Sequence, residues 1–79
     1  APRLVVRKMR ARWGSCDGFG EISINSLVMC KSWKAIDLVL LHELCHLRHF
    51  PHDDKFYGLL SQVMPDWRQR EKEFNVSPD

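Results

Sequence analysis

The sequence predicts an α+β domain: a short antiparallel sheet first, then one long helix and one or two C-terminal helices. Three observations carry this. Glu21-Ile22-Ser23-Ile24-Asn25 alternates polar and apolar, as a half-buried strand does. The stretch from Trp33 to His49 contains neither glycine nor proline. Pro51 and Pro65 divide the remainder into two shorter helical segments. Strands followed by helices is the α+β order.

Each element has its own local signal. Leu4 to Met9 reads as a first strand, with its apolar and β-branched residues leading and basic ones trailing. Arg12 to Cys16 is a second strand candidate, weakened by Gly14. Asp17-Gly18-Phe19-Gly20 is a turn signal, so a hairpin is expected near Gly18. Ser26 can cap a short helical turn through Met29. Ser32 takes the N-cap position of the long helix, expected over Trp33 to His49 and stopped by Pro51. His52 or Asp53 opens the next helix, about Asp54 to Val63. Pro65 suits the first turn of a last helix, with Asp66 at its positive end.

A chain of 79 residues is one small domain, here residues 1–79. It begins at Ala1 without an initiator methionine, which reads as a processed protein or an excerpt of a longer chain. Hydrophobic residues make up 44% and charged residues 28%, which excludes a disordered or low-complexity class. Apolar runs such as Leu38 to Leu41 are far too short to span a bilayer, so no membrane partner is expected. Three cysteines, Cys16, Cys30 and Cys45, cannot all pair within the chain. They read as small buried hydrophobes in a reduced, cytoplasmic setting. Trp13, Trp33, Phe56, Leu59 and Trp67 read as core. The net charge of +2 decides little, but Arg3, Arg7, Lys8, Arg10 and Arg12 crowd the start with no acid before Asp17. Two readings stay open there: a solvated strand face, or a contact with nucleic acid.

His42-Glu43-Leu44-Cys45-His46 carries the chemistry. On a helix, residues four apart share a face, about 6 Å apart along the axis. Two imidazoles so spaced can hold one zinc ion from the same side. Glu43 is rotated about 100° from His42, beside the metal position rather than on it. It can then take a proton from an activated water.

Catalytic zinc takes three protein ligands and leaves a fourth position open. His49 lies on the same stripe, but about 4.5 Å beyond His46 along a straight helix, which makes a row rather than a corner. His52 follows the break at Phe50-Pro51 and can arrive from another direction. Its six-residue spacing from His46 matches H-E-x-x-H-x-x-G-x-x-H, with His49 where that pattern has glycine. His52 is therefore the preferred third ligand. His49 is assigned a surrounding role, and Glu71 or Glu73 is the remaining alternative. Tyr57 is a candidate donor to the transition-state oxyanion, the alternative being that it packs under the sheet. Asp53, Asp54 and Asp37 can hydrogen-bond the outer nitrogens of ligand histidines, although helix capping is the commoner role for the first two.

A wider set of residues then carries a resemblance. It comprises Arg12-Trp13-Gly14-Ser15-Cys16, Ile22-Ser23-Ile24-Asn25, Ile36-Asp37, His42-Glu43-Leu44-Cys45-His46-Leu47, His52 with Phe56-Tyr57, and Pro65-Asp66-Trp67. In this order, over about residues 10–70, they resemble the YgjP-like metallopeptidase domain, a family related to the SprT and WLM proteins. The resemblance implies a zincin-like core, with a short antiparallel sheet over an active-site helix. It implies one zinc ion on His42, His46 and His52, Glu43 as catalytic acid/base, and a protein or peptide substrate. Pro51 and Tyr57 stand where the family often has Asn and Trp.

Two other functions compete. Ribonucleases of the YbeY family use three histidines at the same spacing but lack the glutamate after the first. A non-catalytic, zinc-stabilised module that associates with nucleic acid would bind metal without an exchangeable water.

Overall fold

The computed structural model describes residues 3–76 and is α+β, with a three-stranded sheet and three α-helices. Strand β1 spans Arg3–Arg7, β2 Gly14–Cys16 and β3 Glu21–Asn25. A 3₁₀ turn, Ser26–Cys30, leads into helix α1, Trp33–His46. Helices α2, Asp54–Val63, and α3, Trp67–Phe74, follow.

The sheet is mixed rather than antiparallel. Its order is β1-β3-β2, with β2 antiparallel to β3 and β1 parallel to it. The reason lies in the connections. The tight turn after Cys16 sends β3 back along β2. Residues 8–13 carry the chain from the end of β1 past the end of β3 to β2 on its other side, so β2 runs back along β3 and β1 lies parallel to β3. Asn25 secures that loop: its Nδ2 donates to the carbonyls of Met9 at 3.0 Å and Arg12 at 2.7 Å. The expected half-burial of β3 is also exceeded, because Ser23 and Asn25 are buried along with Ile22 and Ile24. Arg7 closes over the polar side, its Nη2 donating to Ser23 Oγ at 2.6 Å.

The hairpin forms where the sequence indicates. Asp17 Oδ1 accepts from the backbone N–H of Phe19 at 2.8 Å and of Glu21 at 2.9 Å. Gly20, not Gly18, needs the freedom of glycine, with φ of 87°. In the next turn, Asn25 rather than Ser26 is the cap, its side chain accepting from Leu27 N–H.

Helix α1 lies between two buried clusters. Ala35 and Val39 pack with Cys16, Ile22, Ile24, Val28 and Val76 on the sheet side. Leu38 and Cys45 pack with Phe56, Leu60, Met64 and Trp67 on the helical side. Ser32 occupies the N-cap position through its carbonyl alone, with no side-chain cap hydrogen bond. Trp33 is a correction: it is 77% exposed. It shares its helical stripe with the exposed Asp37, one turn on, so it faces away from both clusters. Cys30 is likewise exposed, unlike Cys16 and Cys45.

The largest correction is the end of α1. The helix stops at His46, one turn before the expected His49. The N–H groups of Arg48 and His49 both donate to Cys45 O at 3.0 Å, which tightens and closes the last turn. Asp53 then caps α2, its Oδ1 accepting from Lys55 N–H at 3.1 Å and Phe56 N–H at 3.2 Å. Asp66 stands at the start of α3 without a side-chain cap bond. It accepts instead from Arg70 Nε at 3.0 Å, and Arg70 Nη1 donates to Lys34 O, tying α3 to the start of α1.

Candidate metal centre

Two imidazoles come from α1 and one from the segment after it. His42 and His46 are buried, at 2% and 4% exposure, and their rings lie 5.0 Å apart. Because α1 ends at His46, residues 47–51 can double back. His52 stands immediately before the Asp53 cap, so the start of α2 directs it. Its Nε2 lies 3.2 Å from His42 Nε2 and 3.0 Å from His46 Nε2. One donor atom from each of the three histidines lies within 4.8 Å of the others.

These distances fit a single ion. Nitrogens at about 2.0–2.1 Å from a tetrahedral zinc stand about 3.3–3.4 Å from one another. Three imidazole nitrogens brought this close together suit a cation, and three ligands would leave one position of a tetrahedral ion open.

Phe56 is the floor of this cluster. It is fully buried, and its ring centroid lies 4.4 Å from that of His46, 4.8 Å from His42 and 5.1 Å from His52. Reading Phe56 as core was correct but incomplete. Its position, four residues after His52 and at the start of α2, was the available signal. Phe50 adds a partial wall, 5.2 Å from His46.

Glu43 is fully buried and, one residue past His42 on α1, turns toward the sheet. It does not belong to the converging group. A Cβ built on Gly14 would lie 3.1 Å from Glu43 Oε2, so the carboxylate rests against β2. The glycine that weakened the strand assignment thus has a packing reason, which sequence reasoning missed.

The residues 1–77 match the family model described as YgjP-like, metallopeptidase domain. The chain belongs to this family. No curated protein matches it in sequence.

The remaining candidates of this YgjP-like domain separate clearly. His49 stays outside the cluster and pairs with Asp53, Nε2 to Oδ1 at 2.7 Å. That hydrogen bond, with the N–H groups of Phe56 and Lys55, holds the Asp53 carboxyl below the usual carboxylate range. Asp53 therefore caps α2 and braces His49. Tyr57 stacks on Trp67, centroids 5.2 Å apart, and lies 6.2 Å from the His52 ring. It packs against α3, not under the sheet. Glu71 is half-buried, and burial pushes its carboxyl up against the opposing pull of His42 and Arg68. Neither Glu71 nor Glu73 belongs to the converging group among the described residues. No helix among the described residues is long and apolar enough to cross a membrane.

Proposed function

We propose that this YgjP-like domain is a zinc-dependent peptidase with a zincin-like core, held on His42, His46 and His52 and served by Glu43 as general base. The observation that carries the reading is the convergence of three histidines, with His52 Nε2 at 3.2 Å from His42 Nε2 and 3.0 Å from His46 Nε2, beside a fully buried glutamate. Three imidazoles form a donor set that zinc favours, and three protein ligands rather than four is the catalytic arrangement.

Zinc bound there would lower the pKa of a coordinated water toward neutrality and polarise the scissile carbonyl. The protein's own groups do the rest. Glu43 removes the proton of the attacking water and returns it to the leaving amine, one carboxylate serving both half-reactions. Burial keeps that carboxylate out of bulk water, where its proton would be lost. Tyr57, beside His52, is the candidate donor to the oxyanion. Phe56 holds the three rings at their mutual angles. The substrate class is protein or peptide, following from the family.

Mass spectrometry of the purified chain should find one zinc per molecule. Glu43→Gln should keep that zinc and lose hydrolysis of an unfolded substrate such as casein by about 10²-fold or more. Casein cleavage that survives this substitution would remove Glu43 from the role. Casein left intact while RNA is cut would replace the peptidase reading with a ribonuclease.

A further inference from the structure

We infer that Gly14 is a positioning residue for Glu43: the missing side chain at this point on β2 sets where the carboxylate lies. The inference rests on the reading of Glu43 as general base and adds a second residue to it, from a different element.

Gly14 is buried and pairs with Ile24 at the start of β2. A Cβ there would meet Val39 Cγ1 at 2.7 Å, Glu43 Oε2 at 3.1 Å and Ser23 O at 3.2 Å. Val39 and Glu43 are one turn apart on α1, so both press on the same point of the strand. Val39 is fully buried among Cys16, Ile22, Ile24 and Val28 and has no room to recede. Ser23 O is backbone of the central strand. Val39 can turn only about χ1, which a helix restricts strongly for a β-branched residue, whereas the Glu43 carboxylate sits at the end of three rotatable bonds. A methyl group at position 14 would therefore either lift β2 from α1 or displace that carboxylate. The first outcome affects folding. The second affects the chemistry, since a catalytic base moved by even a few tenths of an ångström loses alignment with the bond it serves, and a shift of about 1 Å costs up to about 10²-fold in rate.

Two variants of the full chain separate these effects. Gly14→Ala is expected to bind zinc within about threefold of the parent, because no ligand histidine touches position 14. Its kcat for casein should fall by about tenfold to hundredfold, with KM changed by less than about threefold. Gly14→Ala/Val39→Ala removes the 2.7 Å contact and leaves the one to Glu43. Its melting temperature should return to that of Val39→Ala alone, while kcat stays at least about threefold lower. A crystal structure of the double variant should show the carboxylate moved by a few tenths of an ångström with the histidines in place.

Recovery of kcat to the Val39→Ala level would overturn the inference, since Gly14 would then only make room for Val39. A double variant that does not fold would overturn it as well, by making the glycine architectural. If Glu43→Gln retains hydrolysis, the base assignment fails by itself. The displaced carboxylate in the crystal structure would still report what Gly14 does.

Discussion

His49 Nε2 lies 2.7 Å from Asp53 Oδ1, and this pair closes the segment that delivers His52 to the cluster. The two residues flank the turn, and the same carboxylate oxygen caps α2. The pair is partly exposed, so its effect on metal binding is modest. His49→Ala should weaken zinc by no more than about fivefold in a competition titration. His52→Ala should weaken it by at least about a hundredfold, since the proposed third ligand is lost. The reverse order would assign the third ligand to His49.

Phe56 links folding to the site. Phe56→Ala empties the floor beneath three imidazoles and should destabilise by about 3–5 kcal/mol. Phe56→Leu keeps most of the volume and should cost about 1 kcal/mol, a melting shift of about 4–8 °C in a domain of this size. Thermal melts followed by circular dichroism check both. The leucine variant should also bind zinc more weakly, because its side chain cannot hold three rings at fixed angles.

A small domain that binds metal only when folded gains stability from it. Free zinc at a hundred times its dissociation constant contributes about 2.7 kcal/mol. Removal with a chelator should therefore lower the melting temperature by about 10–20 °C. Added zinc should restore it, and magnesium, which prefers oxygen ligands, should not. A melt unaffected by chelation would deny the metal any role in the fold.

The turn at Asp17 sets a pH dependence. The backbone N–H groups of Glu21 and Phe19 hold its carboxyl below the ordinary 3.8. A folded-state pKa below the unfolded value means the stabilisation is full above the unfolded value. It is lost as pH falls through the folded one. Asp17→Ala should thus be less stable than the parent at neutral pH. The gap should close below about pH 4, as urea titrations across pH would show. A gap independent of pH would point to the turn's shape rather than its charge.

Much of the site is legible without coordinates because it is local. His42 and His46 share a helical face through the 3.6-residue repeat, and Glu43 turns to the neighbouring face by the same repeat. The strand Glu21–Asn25 and the cap at Asp53 are equally short-range, and both appear where the residues indicate, although the burial of β3 does not alternate. Even the approach of His52 is foreshadowed by Pro51, which forbids a straight helix through it.

What the residues do not announce depends on pairs distant along the chain. The parallel pairing of β1 follows from a loop that Asn25 clamps sixteen residues from Met9. Trp33 and Cys30 are apolar by type, yet which face of α1 or its approach is covered depends on where α2, α3 and the sheet settle. Phe56 meets its histidines, and Gly14 meets Glu43, only after the sheet and α2 close on either side of α1. Periodicity along one element specifies direction around that element. Contact between elements needs the third dimension, because it is set by which surfaces exclude water together.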